Sequence, residues 1–319
     1  MLSEVDLTGY QKISAMNIPT EKFISSGHRA CQGCGEALAM GMVMKVAGKN
    51  TIVVNATGCM EIVTSSFPQT AWLTPWIHVA FENAAAVGSG ICVALDVLER
   101  HGKLNSKKPK VIIFGGDGAT ADIGIGSLSG ALERGHDFVY VCLDNEAYMN
   151  TGVQRSSSTP YGATTTTSPN SLYSIGQTTW KKNMPAIAIA HRVPYVATAS
   201  PAFHLDLMNK VHKAFCINGP AYLHLYAVCP TGWGIKSEQG IKLARLAVNS
   251  LMFPLYEVVG GRYTISKRIS KPVPVLEYLK LQRRFRHLTE VDAAYIQERV
   301  SLEYAWLQTM EVATSPKTK

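Results

Sequence analysis

The stretch KVIIFGGDGATADIGIGSLSGALERGHDFVYVCLDN, from Lys110 to Asn145, decides the fold. An apolar, β-branched run from Lys110 to Phe114 stops abruptly at Gly115-Gly116-Asp117-Gly118. A helical pattern follows from Ile125 to Arg134, and a second apolar run, Phe138 to Leu143, ends at Asp144-Asn145. Two strands apolar throughout, joined by a helix, describe a βαβ unit in a sheet covered on both faces. The alternation continues outward in both directions. Strands are expected at Thr51 to Asn55, Trp76 to Val79, Tyr195 to Thr198 and Tyr222 to Val228, with helices at Glu36 to Val46, Glu82 to Arg100, Met184 to His191 and Phe203 to Phe215. The expected fold class is therefore α/β, a mostly parallel sheet with helices on both faces.

The turn after the first of these strands carries chemistry. Glycines flanking Asp117 let backbone amides approach phosphate oxygens, while the carboxylate offers a hard ligand to Mg²⁺. GDG alone is a weak signal, since a plain tight turn has the same letters. Asn145 strengthens it: it lies 28 residues further on, at the end of the second strand. Neighbouring parallel strands bring their C-terminal ends to one crevice, the place where α/β sheets bind ligands. A metal held by Asp117, Asn145 and a backbone carbonyl would then bridge to a diphosphate. The spacing resembles the thiamine-diphosphate motif, which begins with GDG and ends in Asn. The glycines Gly124, Gly126 and Gly130 mimic a dinucleotide fingerprint, but they fall past the turn and read as helix-packing residues.

Composition narrows the class. The chain has 319 residues, 46% of them hydrophobic, and only 17% are charged, fewer than soluble domains usually carry, which suggests a surface covered by partner chains. No apolar run reaches the length of a membrane span, and the start lacks the pattern of a signal peptide, so a soluble cytoplasmic protein without membrane contact is expected. The net charge of +8 is concentrated between Arg262 and Leu288. No nucleic-acid module accompanies it, which favours a solvated or subunit-facing basic surface, one that could steer an acidic electron carrier, over nucleic-acid binding.

Seven cysteines make a complete disulfide framework improbable. Cys92, Cys142 and Cys216 sit in apolar patterns and read as core. Cys31-Gln32-Gly33-Cys34-Gly35 is a CxxC whose glycines free the backbone to wrap a metal centre, and Cys59 and Cys229 each end a strand. Zinc, a redox dithiol and an iron-sulfur cluster all use this spacing, so the pair alone does not choose among them. Cys229-Pro230 echoes the Cys-Pro that follows some cluster ligands.

Taken together, GHRACQGCGEALA, VVNATGCMEI, TAWLTPWIHVAFENAAAVGSGI, GGDGATADIGIGSLSGALERG, LDNEAYMNTGVQRSSSTP and CPTGWG, spread over residues 27 to 234, resemble the thiamine-diphosphate-binding β subunit of the 2-oxoacid:ferredoxin oxidoreductases, most closely the pyruvate type. The resemblance implies the thiamine-diphosphate-binding fold and oxidative decarboxylation of a 2-oxoacid. Electrons would pass singly to ferredoxin, and coenzyme A would take the acyl group if the substrate is pyruvate. It implies a 4Fe-4S cluster on Cys31, Cys34, Cys59 and Cys229, and Mg²⁺ on Asp117, Asn145 and the carbonyl of Ala147. Glu36, Thr57, Gly58, Cys59, Gly116 and Gly118 would line the cofactor pocket, with Asn150 approaching the substrate. α, γ and δ-type partner subunits are implied, one of them supplying the glutamate that activates the thiamine. Oxalate, which needs no coenzyme A, and branched 2-oxoacids would use the same apparatus. A non-redox thiamine decarboxylase or synthase subunit with structural zinc is the alternative from another class.

The remaining expectations concern organisation. Residues 1–26 read as a polar leader, 27–240 as the cofactor-binding α/β domain and 241–319 as a C-terminal extension packing on partner subunits. The Ser- and Thr-rich run from Ser156 to Thr179 is long for a connection and reads as functional or mobile. His78, in WIHVAF, reads as a satisfied core histidine, and Trp72 and Trp76 as packing residues. His28 and Arg29, just before Cys31, are candidates to bond cluster sulfur or phosphate.

Overall fold

The structure is a computed structural model that describes residues 5–66, 69–104 and 106–316. Its strands are β1 (Thr51–Ala56), β2 (Trp76–Val79), β3 (Lys110–Gly116), β4 (Phe138–Asp144), β5 (Asn170–Ser171), β6 (Ser174–Ile175), β7 (Tyr195–Ala199), β8 (Ala221–Tyr226), β9 (Tyr256–Val259) and β10 (Arg262–Ile265). The helices are α1 (Gly35–Ala47), α2 (Cys59–Thr64), α3 (Ala84–Arg100), α4 (Asp117–Ala121), α5 (Ile125–Arg134), α6 (Met184–Ala190), α7 (His204–Cys216), α8 (Pro230–Trp233), α9 (Gly240–Asn249), α10 (Val275–Leu279) and α11 (Glu290–Thr314).

Eight strands form one sheet in the order β10-β9-β7-β8-β4-β3-β1-β2, and β5 and β6 pair as a small separate ribbon. The six strands from β7 to β2 run parallel. Along β3 and β4 the side chains alternate between two cores. Val111, Ile113, Phe138 and Tyr140 face the side of α3, α5 and α6, whereas Ile112, Phe114, Val139 and Val141 face α1 and α7. This two-sided burial is why both strands read as unbroken apolar runs. Four adjacent strands, β8, β4, β3 and β1, then open their C-terminal ends on one rim.

The segment from residue 241 onward joins the main sheet and its core. The pair β9 and β10 extends the main sheet, with β9 antiparallel to β7. α9, α10 and α11 bury Leu243, Ala247, Tyr278, Ile296 and Leu307 in the same core as α3 and α5. The hairpin's signal was present in the sequence: Gly260 and Gly261, both at positive φ, form the two-residue turn that a tight hairpin requires. The Ser- and Thr-rich run also departs from a simple surface loop, because Ser156, Ser158 and Thr159 are fully buried. Of the three glycines expected to pack helices, Gly124 does so closely, since a Cβ there would lie 1.9 Å from the Ala119 carbonyl oxygen, whereas a Cβ on Gly126 would meet nothing within 4 Å. Among the described residues no helix is long and apolar enough to cross a membrane.

Candidate functional site

One cleft on the rim is lined by Thr57, Gly58 and Cys59 after β1, by Gly116, Asp117 and Gly118 after β3, and by Ala147 and Asn150 after β4. These segments lie far apart in sequence and meet because β1, β3 and β4 are neighbours in parallel. Tyr148 and Phe81 close the cleft's side, their rings meeting edge to face at 6.0 Å, and the Tyr148 hydroxyl donates to the Gly118 carbonyl oxygen (3.2 Å). Glu36 and Asn145 lie buried, and the Asn145 amide nitrogen donates to Glu36 Oε1 at 2.7 Å.

Two buried aspartates stand at adjacent strand ends with different partners. Asp144 accepts from Lys181 Nζ and from His224 Nε2, both at 2.8 Å. Burial alone would raise its pKa, but the charges of Lys181 and His224 outweigh that and hold it well below the ordinary carboxylate range. Asp117, only 1% exposed, receives the Ser156 hydroxyl and, among the described residues, no cation. Burial first, then the charge of Asp144, pushes its pKa well above the ordinary value. Burial likewise lifts Glu36 to about 8, against the opposing bond from Asn145. A buried carboxylate without a counter-charge is a donor that a hard divalent cation takes, and amide and backbone carbonyl oxygens are ligands of the same kind. The Asn145 side-chain oxygen also accepts from the Ala147 N–H (3.2 Å), curling this loop tightly.

Three of the candidate cysteines stand at helix starts on separate segments. Cys34 is the N-cap of α1 and Cys229 that of α8, while Cys59 is the first residue of α2. The Ala37 N–H donates to Cys34 Sγ at 3.5 Å and the Gly232 N–H to Cys229 Sγ at 3.3 Å. Gly35 fixes this approach: its N–H donates to the Val228 carbonyl at 3.0 Å, and a Cβ there would stand 2.6 Å from the Val228 nitrogen. Burial raises the Cys34 thiol to about 12 and Cys229 to about 11. Cys59 is also raised, by burial first, then by Glu36, Cys229, Cys34 and Cys31. Among the described residues no three such side chains are drawn together in metal-ligating geometry. Thiols at three helix starts, two of them with an amide donor at sulfur, together with the exposed Cys31 suit a bound iron-sulfur centre or zinc, since both require thiolates.

Other expectations fare differently. His78 is not a core residue: it is exposed, its Nε2 lies 2.7 Å from the Thr57 hydroxyl and 3.7 Å from the buried Glu61. His28 and Arg29 are exposed, and the Arg29 N–H is tied to the Val63 carbonyl. Trp72 packs in the core against Trp76 and Phe114. Cys92 and Cys142 are buried as expected, whereas Cys216 is only half-buried. The sequence reading missed Ser156, Lys181, Trp233 and Arg284, which support the strand-end loops from beneath. Ser156 and Trp233 lie in the family-resembling segments LDNEAYMNTGVQRSSSTP and CPTGWG, but no spacing ties them, Lys181 or Arg284 to Asp117 or Asn145.

Comparison with known proteins agrees with this geometry. Residues 56–225 match the thiamine pyrophosphate enzyme family model, C-terminal TPP binding domain. The chain is 55% identical to pyruvate synthase subunit PorB of Methanothermobacter marburgensis over 285 residues, which cover 89% of this chain and 97% of that one. It is 45% identical to ketoisovalerate oxidoreductase subunit VorB of Pyrococcus furiosus over 297 residues, covering 92% and 95% of the two chains. The fold is shared with the 2-oxoglutarate:ferredoxin oxidoreductase of Magnetococcus marinus at a TM-score of 0.55 and 20% identity, over 70% of this chain and 79% of that one. A rim cleft framed by GDG and the loop after β4, in a sequence this close to PorB and VorB along nearly its whole length, belongs to a thiamine-pyrophosphate-binding β subunit of the 2-oxoacid:ferredoxin oxidoreductase family.

Proposed function

We propose that this β subunit carries the cofactors for oxidative decarboxylation of pyruvate to acetyl-CoA and CO₂, with electrons leaving one at a time for ferredoxin. The observation that carries the reading is the single cleft in which Thr57, Gly58, Cys59, Gly116, Asp117, Gly118, Ala147 and Asn150 meet, beside three helix-capping or helix-starting cysteines. Asp117, Asn145 and the Ala147 carbonyl would hold Mg²⁺, and Cys31, Cys34, Cys59 and Cys229 a 4Fe-4S cluster. When bound, thiamine diphosphate supplies the electron sink for breaking the carboxyl bond, and the cluster supplies a one-electron acceptor.

The chain's own residues have separable tasks. The glycines around Asp117 bring backbone close to the diphosphate, and the Ser156 hydroxyl fixes one carboxylate oxygen so that the other is free for the metal. Cys59 both lines the cleft and starts α2, so a cluster held in part by Cys59 would adjoin the cofactor cleft. Asn150, which is exposed and lines the cleft, would meet the substrate. The subunit works in the cytoplasm with α, γ and δ-type partners, one of which supplies the glutamate for thiamine activation.

The test is viologen or ferredoxin reduction by the anaerobically purified complex with pyruvate, a branched 2-oxoacid or oxalate, each with and without coenzyme A. Turnover fastest with pyruvate and dependent on coenzyme A is expected, together with iron and a reduced-state EPR signal. Coenzyme-A-independent turnover of oxalate would move the substrate assignment. Stoichiometric zinc without iron would sink the redox reading.

A further inference from the structure

The loop from Asp144 to Ala147 is held from below, residue by residue. Asp144 is bound by Lys181 and His224. The Asn145 carbonyl accepts from Trp233 Nε1 at 2.8 Å. Glu146, a non-glycine residue at φ 69°, is buried, with Oε1 2.8 Å from Lys181 Nζ and Oε2 bonded to Arg284 Nη2. That left-handed conformation is disfavoured for glutamate and persists where its surroundings impose it. Arg284 is itself buried in the turn before α11, its guanidinium 3.9 Å from the centre of the Trp233 ring, with Nε donating to Gln282 Oε1 at 2.9 Å. Arg284 thus touches both handles of the loop: the Glu146 carboxylate directly, and the Asn145 carbonyl through Trp233.

We infer that Arg284, from the C-terminal segment, is a positioning residue for the metal and diphosphate site, acting through Glu146 and Trp233 on the loop that presents Asn145 and the Ala147 carbonyl. The inference rests on the assignment of those two residues as metal ligands. Without the guanidinium, Glu146 shares Lys181 with Asp144 and loses the partner that fixes its far oxygen. Its backbone then relaxes, and the Ala147 carbonyl, the next peptide along, turns with it. Trp233 loses the cation stacked on its ring, and its hydrogen bond to the Asn145 carbonyl loosens.

The experiment titrates Mg²⁺ calorimetrically into the purified, metal-stripped complex at fixed thiamine diphosphate, with iron content and KM for the 2-oxoacid measured in parallel. Arg284→Met should raise the Mg²⁺ concentration for half-saturation by about ten- to a hundredfold, the usual range for groups that support metal ligands from behind. Iron content and KM at saturating Mg²⁺ should stay at wild-type values, and Arg284→Lys should recover part of the loss. Trp233→Phe keeps the ring beneath the guanidinium and removes the indole donor, so it should shift half-saturation the same way even where Arg284→Met fails to assemble. Half-saturation within about twofold of wild type in either assembled variant overturns the inference, given the size expected of such groups. A wild-type complex without Mg²⁺-dependent thiamine diphosphate binding would instead sink the ligand assignment itself.

Discussion

Asp117 and Asp144 show how little a residue's type and burial decide without its partners. Both end parallel strands and both are almost wholly buried, yet Lys181 and His224 hold Asp144 ionised while Asp117 faces a serine hydroxyl. An Asp117→Asn change keeps the shape and a partner for Ser156 but removes the charge. Metal-dependent thiamine diphosphate binding should then fall by about two orders of magnitude, since one of few ligands is lost. Stability of the chelator-treated protein should move the other way. Unfolded aspartate ionises near pH 4, whereas folded Asp117, its pKa raised, keeps its proton to higher pH, so wild-type stability falls as pH rises from about 4. Each pH unit over which the two forms differ by one proton is worth about 1.4 kcal/mol. Urea midpoints at pH 5 and pH 8 check this: the variant's advantage over wild type should grow with pH, and equal midpoints at both would refute it. Asp117 and Asn145 were legible because each follows a strand directly. Ser156, Lys181 and Arg284 were not, because they reach the site across 39, 35 to 37 and 138 residues, and no local pattern announces such a contact.

At the level of elements, Cys34, Cys59 and Cys229 cap or start helices, and substitution can separate that role from the metal-ligating role proposed for them. Serine is among the best N-caps and alanine among the poorest, a difference of about 1 kcal/mol. Cys34→Ser should therefore leave α1 and the thermal melt nearly unchanged while abolishing iron binding, whereas Cys34→Ala should lose iron and melt earlier. Iron analysis with circular dichroism distinguishes them, and full iron content in Cys34→Ser would contradict the ligand assignment. The central strands β3 and β4 were legible because two-sided burial makes them nearly unbroken apolar runs. α11 was not, although Ala293, Ile296, Val300, Tyr304 and Leu307 have helical spacing and are buried. Its opposite face carries Val291, Tyr295, Leu302, Trp306 and Val312, all exposed, and apolar residues on both faces erase the periodic contrast that marks an amphipathic helix. The hairpin of β9 and β10 was masked differently: its Gly-Gly turn sits at the edge of a basic, proline-containing tract that reads as irregular.

Over the whole molecule, the same exposed residues agree with the low charge content. Leu172 and Tyr173, at the tip of the β5–β6 ribbon, are 97% and 98% exposed, and the outer face of α11 adds a second apolar surface. Isolated large apolar side chains are ordinary on a protein surface, but a ribbon tip and a helix face of this kind mark sites that other chains cover. Neither Leu172 nor Tyr173 packs against this chain's core, so replacing both with serine should leave the melting temperature of the subunit within about a degree, as surface changes usually do. The same replacement should reduce recovery of partner subunits when the complex is purified through a tag on this chain, and it should lower the light scattering of the chain expressed alone. Size-exclusion profiles of the two preparations provide the check. Undiminished partner recovery together with undiminished scattering would show that the tip faces solvent in the assembled enzyme.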